Sequence, residues 1–193
     1  MCGIIGISSN KSVSANIINS LKKLEYRGYD SAGVATLFDG EINEVKSEGR
    51  VDNLEQNFDL KSLKGNIGIG HVRWATHGVP NSINAHPHSS DNVSVVHNGI
   101  IENSTILKKH LINKGHTFKS QTDTEVIVHL ISREIESGMT PLEAVRRTLM
   151  LLRGTWGIAV MIHGYDEVIC ARNGSPLVIG IGDEEMYISR LLI

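Results

Sequence analysis

Several scarcities narrow what this 193-residue sequence can be. Cysteine occurs only twice, as Cys2 and Cys170. Two cysteines in a chain of this length do not make a disulfide framework, so a reducing, cytoplasmic setting is the expectation, with a single bridge left open. Proline occurs four times, and no repeat, low-complexity tract or linker interrupts the chain. One domain over residues 1–193 is therefore expected. No apolar run approaches the roughly 18 residues of a membrane span. The opening MCGIIGISSN has no basic region of the kind that begins a signal peptide. Charge of neither sign prevails: the formal net charge is −2, which gives no footprint for nucleic acid or for an anionic membrane.

What is present is a patterned α+β sequence. Residues 2–8 read as a buried strand, and 13–26 carry apolar positions at helical spacing, with Ser12 as N-cap and Gly28 beyond the end. Residues 31–38 and 41–48 read as a hairpin about Asp39-Gly40. A short helix is expected at 51–57 and a strand at 66–73. A long polar loop, 74–92, follows, of a length that is usually functional or disordered. A strand over 93–97 is expected to end at Asn98-Gly99, with a helix over 101–114 after it. Thr122 with Glu125, and Thr140 with Pro141 and Glu143, fit helix-opening capping boxes. The remainder reads as strands at 155–163, 165–171, 176–181 and 186–189. Helices bunched between runs of strands argue for antiparallel sheets, and two stacked sheets covered by helices would suit the count.

Four groups of residues could carry chemistry. Removal of Met1 would expose Cys2 with a thiol and a free α-amine on one residue. The amine titrates near roughly 8 and the thiol near roughly 8.5, so one residue could supply both nucleophile and base; the ordinary reading of Cys2 is a small apolar residue at a strand start. Asn98-Gly99 could offer a side-chain amide and a backbone N–H to an oxyanion, although Asn-Gly is commonly a tight turn. Arg73 could hold a carboxylate and Asp123 an ammonium; a surface ion pair and a helix first turn are their ordinary readings. Nine histidines, five of them between His71 and His97, raise the question of zinc. Their spacing contains no H-E-x-x-H and no C-x-x-C partner, so no metal site is expected.

Taken together, these pieces resemble the class II glutamine amidotransferases, which are N-terminal-nucleophile hydrolases. The resemblance rests on Met1 to Gly6 (MCGIIG), Leu24 to Gly33 (LEYRGYDSAG), His71 to Gly78 (HVRWATHG), Ala85 to His88 (AHPH), Val95 to Asn103 (VVHNGIIEN), Thr122 to Val126 (TDTEV) and Gly174 to Gly180 (GSPLVIG). Tyr26 and Tyr29 are similar to the branch that uses fructose 6-phosphate, where the purine-pathway branch has His and Gln. The resemblance implies a four-layer αββα sandwich of two antiparallel sheets and no cofactor. It implies Cys2 as nucleophile with its own amine as base, and Asn98 and Gly99 as the oxyanion hole. Arg73 would hold the carboxylate of L-glutamine and Asp123 its ammonium, with Trp74, Thr76 and His77 on a closing loop. His86 would support the site, and Arg27 and Gly28 would flank Cys2.

The chain departs from that pattern in two ways. Relatives continue into sugar-isomerase domains that bind fructose 6-phosphate, which are absent here, and Arg190 stands where an acidic residue is usual. The competing expectations are a catalytically silent domain that binds glutamine or an isomerase partner, a zinc module, and a glutaminase serving another acceptor. The oligomeric state is open, a homo-oligomer included.

Overall fold

The structure is a computed structural model and describes residues 2–75 and 78–190. Two antiparallel sheets stack face to face. The first has six strands in the order β3-β2-β4-β1-β10-β9, and the second has four in the order β5-β6-β7-β8. The first sheet contains β1 (Gly3–Ser9), β2 (Ser31–Phe38), β3 (Glu41–Glu48), β4 (Ile67–Arg73), β9 (Val178–Ile181) and β10 (Glu185–Ser189). The second contains β5 (His88–Ser89), β6 (Val93–Ile101), β7 (Gly154–Ile162) and β8 (Tyr165–Asn173). Helices α1 (Ser14–Leu24) and α2 (Val51–Asn57) cover the outside of the first sheet. Helices α3 (Ser104–Ile112), α4 (Glu125–Glu136) and α5 (Pro141–Leu149) lie on the second.

Strand alternation builds these layers. In β1, Ile5 and Ile7 point to α1 while Ile4 points between the sheets. In β4, Val72 faces the helices and Ile67 and Ile69 face the second sheet. The interior thus divides into three apolar interfaces: helix on sheet, sheet on sheet around Ile4, Leu37, Ile69, Val96 and Met161, and sheet on helix around Val95, Ile127, Leu130 and Ile158. That is the four-layer αββα sandwich. Each fully buried isoleucine or leucine in it contributes about 1.5–3 kcal/mol of transfer free energy. Small residues set the helix spacing: a Cβ on Gly68 or Gly70 would lie 2.6 Å from the Ile17 side chain, so α1 can settle closely onto β4.

The structure corrects several local expectations. Helix α1 is preceded by Val13 rather than capped by Ser12. The Thr140 capping box forms, with Pro141 in the first turn, but the one expected at Thr122 does not. Helix α4 begins at Glu125, one residue after Thr124. The Glu125 carboxylate instead accepts the backbone N–H groups of Lys119 (2.8 Å) and Ser120 (2.7 Å), and Thr122 bonds His88. Asn98-Gly99 is not a turn: β6 runs through both residues to Ile101, paired along its length with β7. The next helix therefore starts at Ser104 rather than 101.

Candidate active site

Cys2 immediately precedes β1, a central strand flanked by β4 and β10. The β1–β4 register pairs Gly3 with Val72, which sets Cys2 beside the end of β4 at Arg73 and Trp74. The Trp74 backbone N–H donates to Cys2 Sγ at 3.2 Å. The second sheet closes on the same point, because the Asn98 side-chain amide donates to the Cys2 carbonyl oxygen at 3.2 Å. Arg27 Nε donates to that oxygen too, at 3.4 Å. Gly28 lies flat on the end of β4, where a Cβ would come within 2.5 Å of the Arg73 carbonyl oxygen. Burial raises the Cys2 thiol above its ordinary range, and the Trp74 N–H pulls in the opposite direction.

A cavity of about 480 Å³ opens here, and Cys2, Arg73, Trp74, His86, Asn98, Gly99 and Asp123 all line it. Seven of the residues nominated from sequence are thus brought together, and Arg27 reaches Cys2 from outside the cavity. Thr76 and His77 lie outside the described residues. A larger, open depression of about 810 Å³ lies at the other end of β1, around Ser9 and Asp39, and contains none of the nominated residues.

The charged side chains at the site are held by neighbours. The Arg73 guanidinium is buried, sits 3.7 Å from the Asp30 carboxylate, and donates to the carbonyls of Gly78 (3.2 Å) and Val79 (3.5 Å). Asp30 also accepts from the Ala75 backbone N–H and from Ser31 Oγ (2.9 Å). Arg73 and Asp30 thereby pin both ends of the segment that follows β4. Asp123 Oδ2 accepts the Ile101 N–H at 2.7 Å, which fixes the carboxylate at the cavity wall. Gly99 takes a positive φ of 142°, and a Cβ there would sit 1.9 Å from the Thr155 carbonyl oxygen, so only glycine lets β6 pass this point.

Four histidines are buried against the site. His86 Nε2 and His97 Nδ1 both contact Thr124 Oγ1 at 2.9 Å, and His88 Nε2 contacts Thr122 Oγ1 at 3.0 Å. His71 stacks on His86 with ring centroids 4.2 Å apart. Burial pushes His71 and His88 down to about 3 and holds His86 and His97 below the usual imidazole range, so all four are neutral near pH 7. One nitrogen of each ring meets a threonine hydroxyl or, for His71, the His97 carbonyl and the Asn98 side chain; among the described residues no group of His, Cys, Asp and Glu is arranged to hold a metal ion. Sequence reasoning gave no place at the site to His71 and Asp30, or to Thr124 and Arg190, which also line the cavity. For His71 a signal existed: the alternation in IGIGHVR sets it on the face of Ile67 and Ile69, between the sheets. Thr124 and Asp30 showed only as members of the family-like blocks, and Arg190 only as a departure from the family pattern.

The glutamine amidotransferase domain family matches residues 71–190. The chain belongs to that family. Over 189 residues the amidotransferase domain is 52% identical to the glutamine–fructose-6-phosphate aminotransferase (isomerizing) of Mesorhizobium japonicum and 50% identical to that of Bartonella henselae. Each alignment covers 97% of this chain and 31% of the relative, so the chain spans about a third of the relatives' length. Among solved structures it is similar to the glutamine phosphoribosylpyrophosphate amidotransferase of B. subtilis in complex with ADP and GMP. That similarity has a TM-score of 0.85 at 31% identity and covers 98% of this chain and 42% of the other. A class-II glutamine aminotransferase domain protein from Silicibacter pomeroyi shares the fold, with a TM-score of 0.65 at 15% identity, covering 97% of this chain and 88% of that one. The higher identity to the fructose-6-phosphate enzymes agrees with the branch to which Tyr26 and Tyr29 point.

Proposed function

We propose that this domain hydrolyses the side-chain amide of L-glutamine to glutamate and ammonia through a thioester on Cys2. The observation that carries the reading is that Cys2, Asn98, Arg73 and Asp123 line one cavity, of about 480 Å³, with room for a free amino acid.

The α-amine of Cys2, freed by removal of Met1, takes the thiol proton; Met1 lies outside the described residues. The thiolate attacks the amide carbon of glutamine, and the resulting oxyanion is met by the Asn98 side-chain N–H and the Gly99 N–H. Collapse of the intermediate expels ammonia, with the amine returning the proton to the leaving nitrogen. Water then adds to the γ-glutamyl thioester and releases glutamate and the thiol. Arg73 faces the substrate carboxylate and Asp123 its ammonium, as charge-assisted pairs in a half-open cavity. Trp74, Thr76 and His77 close over the substrate, His86 braces the wall, and Arg27 and Gly28 hold the backbone of Cys2. The reaction needs no cofactor.

We assign the ammonia to fructose 6-phosphate, delivered through a sugar-isomerase portion of the kind that makes up the rest of the longer relatives, in the cytoplasm. Two unpaired cysteines fit a reducing compartment. Among the described residues no helix is long and apolar enough to cross a membrane.

The test is glutamate release from L-glutamine by the processed chain and by Cys2→Ala. Turnover by the first and none by the second supports the reading, and equal background rates refute it.

A further inference from the structure

The geometry points to His71 as a positioning residue that sets the orientation of the Asn98 amide, and through it the oxyanion hole. This rests on the glutaminase reading above and deepens it.

The argument begins at an atom that cannot change its role. His71 Nε2 lies 3.2 Å from the backbone carbonyl oxygen of His97. A carbonyl oxygen only accepts, so Nε2 must carry the ring proton. The same Nε2 lies 3.0 Å from the side-chain oxygen of Asn98. With Nε2 committed as a donor, the Asn98 end facing it must be the oxygen; a flipped amide would set two donors against each other in a dry interior. The NH₂ end is thereby turned toward Cys2, where one N–H meets the Cys2 carbonyl oxygen at 3.2 Å. Its second N–H is available to an oxyanion forming in the cavity.

The surroundings keep this relay in one state. His71 is fully buried, stacked on His86, and among the described residues has no hydrogen-bond partner at Nδ1. A proton at Nδ1 would be a buried cation without a counter-charge, and burial accordingly pushes the ring down to about 3. His71 thus stays a single neutral tautomer across the pH range in which a glutaminase works. It is not among the residues that line the cavity, and among the described residues its one side-chain hydrogen-bond partner there is Asn98.

The test compares wild type, His71→Phe, which keeps the stacking ring but has no donor, and His71→Gln, whose amide can donate. Each is assayed for glutamine turnover and for alkylation of Cys2 by iodoacetamide, a reaction that builds no oxyanion at the hole. His71→Phe is expected to lose about 10–100-fold in kcat with KM held within about threefold, because an oxyanion donor acts in the transition state. Alkylation should be unchanged, and His71→Gln should recover most of the loss. Equal loss of turnover and alkylation, or no rescue by Gln, would overturn the inference in favour of a packing role. If wild type itself fails to turn over glutamine, the glutaminase reading falls instead. The ring tautomer gives a check that needs no variant: ¹⁵N-histidine NMR of wild type should show His71 protonated at Nε2, and protonation at Nδ1 would contradict the relay.

Discussion

The side-chain amide of Asn98 donates to the carbonyl oxygen of Cys2 across 3.2 Å and 96 residues of sequence. One residue precedes the central strand of the six-stranded sheet, and the other lies within β6 of the four-stranded sheet. The contact therefore exists only when the two sheets are stacked in register, and the candidate oxyanion hole is a product of the tertiary fold. The predictions below probe what that junction holds.

Asp123 is fixed by the Ile101 N–H through one carboxylate oxygen. Asp123→Asn keeps an acceptor for that N–H and removes the charge. It should raise KM for L-glutamine by about 10–100-fold with little change in kcat, as expected for a charge-assisted contact made equally in ground and transition states. Initial-rate kinetics over a wide glutamine range would check this; a kcat effect with unchanged KM would move Asp123 out of the substrate-ammonium role.

Gly99→Ala would drive a Cβ into the Thr155 carbonyl oxygen at a positive-φ position. The strand must shift away from β7, and a loss of about 2–4 kcal/mol in unfolding free energy is expected. Urea denaturation measures it. The same shift displaces Asn98, so glutamine turnover should fall in any fraction that remains folded.

Acid should destabilise the fold before it protonates most surface carboxylates. His71, His86, His88 and His97 have depressed folded-state values against about 6.5 unfolded, so the unfolded chain takes up more protons as pH falls below 6.5. Their stabilising contribution is complete above pH 6.5 and is lost as pH falls below it, down to about 3 for His71 and His88. Each contributes a slope of about 1.4 kcal/mol per pH unit, with about 5.5 kcal/mol per unit as the ceiling for four. Glu125 acts in the same direction at lower pH. Burial would raise it, but hydrogen bonds from His129, Lys119 and Ser120 prevail and hold it at about 2, so its contribution is lost between about 4.5 and 2. Urea midpoints should change little between pH 7.5 and 6.5 and fall more steeply between 6.5 and 5.5; a flat profile over the lower interval would mean that the histidines are not buried and neutral.

Much of this architecture is legible along the chain because it is local. Alternation in β1 and β4 assigns Ile4 and Ile69 to one face and Ile5 and Val72 to the other. Asp39-Gly40 and the Thr140 box form as their residue types dictate. What fails to show locally is what depends on distant partners. Asn98-Gly99 has the composition of a turn, but β7 supplies a continuous ladder through Trp156 and Gly157 that carries the strand on. Thr122 and Glu125 have the spacing of a capping box, but His88 and the backbone at Lys119 and Ser120 take their side chains first. His71 could be placed between the sheets from its alternation, whereas its hold on Asn98 depends on how the second sheet docks.

The most direct test of the central claim is the intact mass of the purified chain before and after exposure to a diazo-ketone analogue of glutamine, with Cys2→Ala as control. The account predicts loss of Met1 and a single adduct on wild type that Cys2→Ala lacks and that excess L-glutamine prevents. A retained Met1, or no adduct on a processed chain, would contradict it and leave a domain with an amidotransferase fold and no working nucleophile.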